Sequence, residues 1–179
     1  MKKRKCKVIM FLLIVLLIGI VSFRHYQKEK ILKHMNNHIS LLKQIGDEIN
    51  EKDLQDGDDE YLNHIIVLLI DSINEYYDAY YIREKYRLWG EGIISLTTDF
   101  RIIMDQVSHL KDCTGVGIDE KLKEKYLLYI QSDLTNIASY LTEHYPDGVK
   151  KYGDWIYKSS TWKEYEREVM NFGFGTPGN

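Results

Sequence analysis

Two histidines, His34 and His38, stand four residues apart, a spacing that on a helix puts both imidazoles on one face and suits a divalent metal. No His-Glu-x-x-His arrangement surrounds them and no third ligand is implied nearby, so surface or interface histidines are the weightier reading, and no metal or cofactor is expected. Asp53, Asp56, Asp58, Asp59 and Glu60 supply carboxylates of the kind calcium takes, but their spacing does not match a calcium loop, and an acidic helix N-terminus accounts for most of them. The carboxylate pairs Glu75/Asp78 and Glu164/Glu168 sit where a solvated helix face places them anyway. Ser108 and His109 are neighbours, and on a helix their side chains diverge by about 100°, which rules out a dyad. No phosphate loop, nucleophile elbow or oriented Cys/His pair is present. The chain is expected to be non-catalytic.

Aromatic residues are the richest feature. Tyr76, Tyr77, Tyr80, Tyr81, Tyr86 and Trp89 lie along one segment, and Tyr140, Tyr145, Tyr152, Trp155, Tyr157, Trp162 and Tyr165 crowd the C-terminal third. Adjacent rings such as Tyr76 and Tyr77 point different ways round a helix, so some must reach the surface, where Tyr and Trp favour protein interfaces. Tyr77, Tyr81, Tyr86, Trp89, Trp155 and Trp162 are the candidate partner-binding residues. The competing reading is packing between helices, in place of alanine, which occurs only at Ala79 and Ala138. That scarcity, with abundant Ile, Leu, Lys and Tyr, fits the codon bias of an AT-rich bacterial genome.

Elements to position such residues begin at the N-terminus. Val8 to Phe23 reads VIMFLLIVLLIGIVSF, sixteen residues without a charge. At about 1.5 Å per residue it spans roughly 24 Å, against a hydrocarbon core of about 30 Å. Lys7 and Arg24 flank it, able to snorkel, and Tyr26 stands where an interfacial aromatic anchors, so a slightly short transmembrane helix is expected. A cleaved signal peptide is the alternative, yet no A-x-A-like site follows. Lys2, Lys3, Arg4, Lys5 and Lys7 make the first seven residues hard to translocate, which places the N-terminus inside and the domain outside a cell membrane. Arg24, Lys28, Lys30 and Lys33 on the far flank keep a cytosolic domain as an alternative, besides secretion after cleavage.

Beyond residue 7 the chain carries 19 basic and 27 acidic residues. An acidic domain is repelled by nucleic acid and by anionic membrane surfaces, so basic protein surfaces or cations are the expected partners. Cys6 and Cys113 lie on opposite sides of the apolar segment and are not expected to pair; Cys6 reads as a juxtamembrane thiol, and Cys113 as a buried small hydrophobe or a lone loop thiol.

Helical periodicity fills the rest. Ile31, Met35, His38, Leu42, Ile45 and Ile49 form a first stripe that continues from the apolar segment, with Gly46 and the acidic run Asp47 to Glu60 ending it and Asp56-Gly57 as the turn. Asp58 or Asp59 caps a second helix, with Leu62, Ile65, Ile66, Leu69, Ile73, Tyr76, Tyr77 and Tyr80 inward, running to about Trp89. A third starts near Gly92 with Ile93, Leu96, Phe100, Ile103, Val107 and Leu110 at coiled-coil-like spacing, and breaks at CTGVG, residues 113 to 117. A fourth opens around Asp119 with the stripe Leu122, Tyr126, Tyr129, Ile130, Ile137 and Leu141, and stops before Pro146, where Asp147-Gly148 turns the chain. Thr161 with Glu164 signals a short C-terminal helix ending near Phe172.

The fold class is therefore all-α: a single N-terminal transmembrane helix, then an up-down bundle of about four amphipathic helices plus a short C-terminal helix. Residues 1–7 form a basic tail, 8–23 the anchor, 24–172 the bundle and 173–179 a flexible tail. The function expected is that of a membrane-anchored, extracytoplasmic protein that binds a protein partner, as an accessory or immunity-like factor. A sensing module and an enzyme of unfamiliar type are the alternatives. The stripe on the first helix either closes within the chain or pairs with a second copy.

Overall fold

A computed structural model describes residues 2–86, 96–115 and 117–150, with side chains defined for most of them. Helix α1 runs unbroken over Lys2–Glu51, a turn of 3-10 helix spans Leu54–Asp56, and α2 (Asp59–Tyr86), α3 (Leu96–Cys113) and α4 (Glu120–His144) follow. The described residues form no strand. The apolar segment and the first expected bundle helix are thus one element, about 75 Å long at the standard rise. It is long and apolar enough to cross a membrane. The expected helix at Thr161 lies outside the described residues.

Residue pairs fix the directions. Along α1 and α2, Glu48 meets His64, His38 meets Ser72, His34 meets Glu75 and Phe23 meets Tyr86, so α2 runs back along α1. Helix α4 also runs against α1: Asp53 accepts from Gln131, Gly46 faces Ala138, Lys43 donates to the Tyr145 carbonyl and Asn36 holds Val149. Gln106 meets Asp133 and His109 meets Tyr126, which sets α3 against α4. Helices adjacent in sequence pack on one another, and α4 returns to α1.

The core is built from the stripes. Ile31, Met35, Leu42, Ile45 and Ile49 of α1 are buried, as are Leu62, Ile65, Ile66, Leu69 and Ile73 of α2. The α1 stripe therefore closes within one chain. On α2 only Tyr76 of the three tyrosines expected inside is buried, and Tyr77 and Tyr80 are exposed, because Ala79 takes the inward position one turn on. Ile103, Val107 and Leu110 of α3 are buried. The side chains of Ile93, Leu96 and Phe100 lie outside the described set. On α4 the inward stripe is Leu127, Ile130, Leu134, Ile137, Ala138 and Leu141. Leu122 is exposed, and Tyr126 and Tyr129 are half-buried, so the stripe is rotated from the one read in the sequence.

Helix ends follow local chemistry. Asp58 Oδ1 accepts from the Tyr61 N–H at 2.9 Å, and Asp119 Oδ1 from the Lys121 and Leu122 N–H groups at 3.0 and 3.2 Å, so these two aspartates open α2 and α4. Gly46 does not weaken α1, which continues a further turn to Glu51. It is buried where α4 crosses, and a Cβ there would run into that of Ala138; close packing outweighs the helix propensity of about 1 kcal/mol that glycine forfeits. Beyond α1, fully buried Leu54 in the 3-10 turn makes the reversal, and Gly57 is merely extended at φ −79°. At the far end of α4, Gly148 adopts φ +75°, which glycine tolerates without strain.

Candidate functional site

His34 and His38 do share a face of α1, and that face is turned to α2. His34 Nδ1 lies 2.7 Å from Glu75 Oε2 and 4.0 Å from Asp78 Oδ2. His38 is buried beside the Tyr76 ring, with Nδ1 2.9 Å from the Ser72 carbonyl and 2.8 Å from Ser72 Oγ. Desolvation pushes the His38 pKa down to about 4, the Ser72 carbonyl and the Glu75 charge acting weakly the other way. The imidazole is neutral at physiological pH, one Nδ1 proton state donating to the carbonyl and the other accepting from the hydroxyl. Each histidine is thus committed to a different partner, and a metal bridging them would have to displace both sets of bonds. Among the described residues no three His, Cys, Asp or Glu side chains gather as a metal site would need. Ser72 was not foreseen as part of this pairing. Its signal in the sequence is one polar residue inside the apolar stripe of α2, opposite His38 inside that of α1.

A second polar pair joins α3 to α4. Gln106 Nε2 donates to Asp133 Oδ2 at 2.8 Å, while Gln106 Oε1 is buried with no hydrogen-bond partner among the described residues. Burial pushes the Asp133 carboxyl up to about 6, and the Gln106 hydrogen bond opposes this. One turn along, the His109 ring stacks on Tyr126 with centroids 4.7 Å apart, and its Nδ1 is also buried with no partner among the described residues. Ser108 is exposed while His109 is half-buried, as their adjacent helix positions require. The pair ties α3 to α4 through the Gln106–Asp133 hydrogen bond.

The acidic run lies together at the reversal between α1 and α2, but its carboxylates take separate partners rather than converging on one point. Asp58 caps α2, Asp53 accepts from Gln131, and Glu48 pairs with His64 at 2.9 Å. Burial pushes the Cys113 thiol up, and the side chain is enclosed in the core, which places it as a small hydrophobe.

The α2 aromatics divide three ways. Tyr76 faces the core, and Tyr77 and Tyr81 are 50% and 61% exposed. Tyr86 meets Phe23 edge-on at 5.2 Å, at the very end of the apolar segment. The Lys85 ammonium stands 5.5 Å over Tyr81 and 5.6 Å over Tyr86, and Lys30 stands 5.2 Å over Tyr26. Trp89, Trp155 and Trp162 lie outside the described residues. No family model, curated protein or solved structure matches this chain.

Proposed function

We propose that this is a single-pass, membrane-anchored and non-catalytic protein whose up-down helical bundle stands on the extracytoplasmic side and binds a protein partner, as an accessory or immunity-like factor. One observation carries the reading: the apolar stretch Val8 to Phe23 is exposed on every face of a helix whose continuation forms the core. Leaving so many large apolar side chains in water forfeits on the order of 20 kcal/mol, which a bilayer restores. Confinement at the membrane raises the effective concentration of the bundle against anything acting there. Its charge selects the partner. Asp47, Glu48, Glu51, Asp53, Asp56, Asp58, Asp59 and Glu60 gather where α1 turns into α2, about 42 Å along α1 from Phe23, so a basic protein surface fits that end. Exposed Tyr77, about 26 Å along α2 from Glu60, is a separate aromatic candidate for partner contact.

The test is crosslinking and capture from native membranes, with the full chain compared against Asp56→Asn/Asp59→Asn/Glu60→Gln. Recovery of a basic protein that is lost at high salt and in the triple variant is the expected result; recovery of this protein alone sinks the reading. Orientation is read separately, by labelling Glu51→Cys in intact cells, since buried Cys113 is a poor reporter. Labelling only after lysis would put the bundle inside. A sensing module is favoured by one feature, the unbroken α1, which would couple movement in the bundle to the membrane segment.

A further inference from the structure

We infer that α2 makes a second contact with the membrane: Tyr81, Lys85 and Tyr86, together with Phe23 and Tyr26 of α1, sit among anionic phospholipid headgroups. The inference rests on the anchored reading above and adds where the bundle lies relative to the bilayer.

The level of α2 is set by its register on α1. From Glu48–His64 through His38–Ser72 and His34–Glu75 to Phe23–Tyr86, each residue gained on α2 is matched by about one lost on α1. Both helices rise about 1.5 Å per residue, so Tyr86 is level with the end of the apolar segment, and Tyr81 stands only about 8 Å higher. The segment spans roughly 24 Å of a core of about 30 Å, and sharing that shortfall between its ends draws in about two more residues at each. The headgroup layer beyond is about 5–7 Å thick on each side, about three to five residues of helix. Phe23 and Tyr86 then lie about 3 Å inside the hydrocarbon edge, Tyr26 and Tyr81 stand in the headgroup layer, and Lys85, at the edge itself, reaches that layer with its ammonium, which is held over the Tyr81 ring.

The side chains at that level have the chemistry of an interface. Phe23 and Tyr26 are 47% and 56% exposed, so apolar ring surface continues outward from the anchor without a break. Tyrosine suits this depth, its ring toward the acyl boundary and its hydroxyl toward water. Lys30 and Lys85 hold their ammonium groups over the ring faces, where they can reach phosphate while their stems cover apolar surface. In the sequence of residues 24–30 and 83–86, Arg24, Lys28, Lys30, Arg83 and Lys85 outnumber Glu29 and Glu84, in a domain that is acidic elsewhere. The bundle is therefore polarised, its basic end toward the bilayer and its acidic end away. At headgroup depth lipid is the surface that surrounds these side chains.

The experiment uses the full chain in nanodiscs of phosphatidylcholine mixed with phosphatidylglycerol, carrying one nitroxide at Leu16→Cys, Lys85→Cys or Glu51→Cys in a Cys6→Ser/Cys113→Ala background. Collision with oxygen and with a water-soluble nickel chelate reports depth. The expected order is deep burial at 16, headgroup depth at 85 with several-fold less nickel collision than at 51, and open water at 51. The nickel collision at 85 should rise when phosphatidylcholine alone is used. If 85 is as open as 51 while 16 is deep, the anchor stands and the second contact is refuted, the outcome expected if a protein covers the patch in cells. If 16 is open to nickel, the anchored reading itself fails and this one with it.

Discussion

His38 makes the packed α1–α2 seam sensitive to acid, and the size of the effect follows from its burial. In the folded chain its pKa is about 4, against an ordinary value of 6.5. A depressed histidine is neutral when folded and picks up its proton only on unfolding, so its contribution is complete above about pH 6.5 and is lost as the pH falls toward about 4. At about pH 5 the gap is roughly one and a half pKa units, or about 2 kcal/mol. The perturbation that isolates it is His38→Gln, which keeps a side-chain N–H for the Ser72 carbonyl and does not titrate. Wild-type acid sensitivity alone is a poor measure, because Asp133 opposes it: its raised carboxyl pKa makes the folded chain bind a proton first, adding stability as the pH falls below about 6. Both chains contain Asp133, so their difference removes it. Urea unfolding of each in the same detergent micelles, followed by far-UV circular dichroism at about pH 8 and about pH 5, should show the wild type losing about 2 kcal/mol relative to His38→Gln. A difference that stays constant within about 0.5 kcal/mol refutes the claim that His38 is held neutral by its surroundings.

Gly46→Ala should destabilise the chain by about 1–3 kcal/mol despite the better helix former, because the new methyl meets Ala138; adding Ala138→Gly should recover much of the loss in the same melts. Asn36 fixes the chain after α4 through Nδ2 to the Val149 carbonyl at 3.1 Å and Oδ1 from the Val149 N–H at 2.7 Å. Asn36→Ala should therefore cost about 1–3 kcal/mol and raise hydrogen exchange at the Val149 amide, and unchanged exchange would count against the clamp. Gln106→Leu alone should push the Asp133 pKa further up, as read by carboxyl NMR titration, since burial remains and the opposing hydrogen bond is gone. Gln106→Leu/Asp133→Leu should be close to neutral or stabilising, because it removes a buried acceptor that has no partner among the described residues together with the desolvated carboxylate.

Much of this molecule was legible in one dimension because its signals are periodic and local. The apolar run from Val8 to Phe23, the buried stripes of α1 and α2, the aspartate caps at Asp58 and Asp119 and the stop before Pro146 all depend on residues within a few positions of one another. What the chain could not state locally was decided by contacts between distant segments. Gly46 reads as a weak point in isolation and becomes the closest approach of α1 and α4 once Ala138 faces it. Leu54 reads as one apolar residue in an acidic loop, yet it is fully buried under α4 and sets the reversal. The α4 stripe was rotated in the reading because Tyr126, Tyr129 and Leu122 share helical spacing with the true core positions, and only the direction of the neighbouring helices distinguishes the two faces. His38 could be placed on a helix face from sequence, but its protonation depends on Ser72 thirty-four residues away, since desolvation and hydrogen bonding are properties of packed surroundings. The sequence by itself determined the helical class and the apolar end. The tertiary structure decided that α2 returns to that end, because an antiparallel register along the whole of α1 beyond the apolar segment carries Tyr86 back to Phe23.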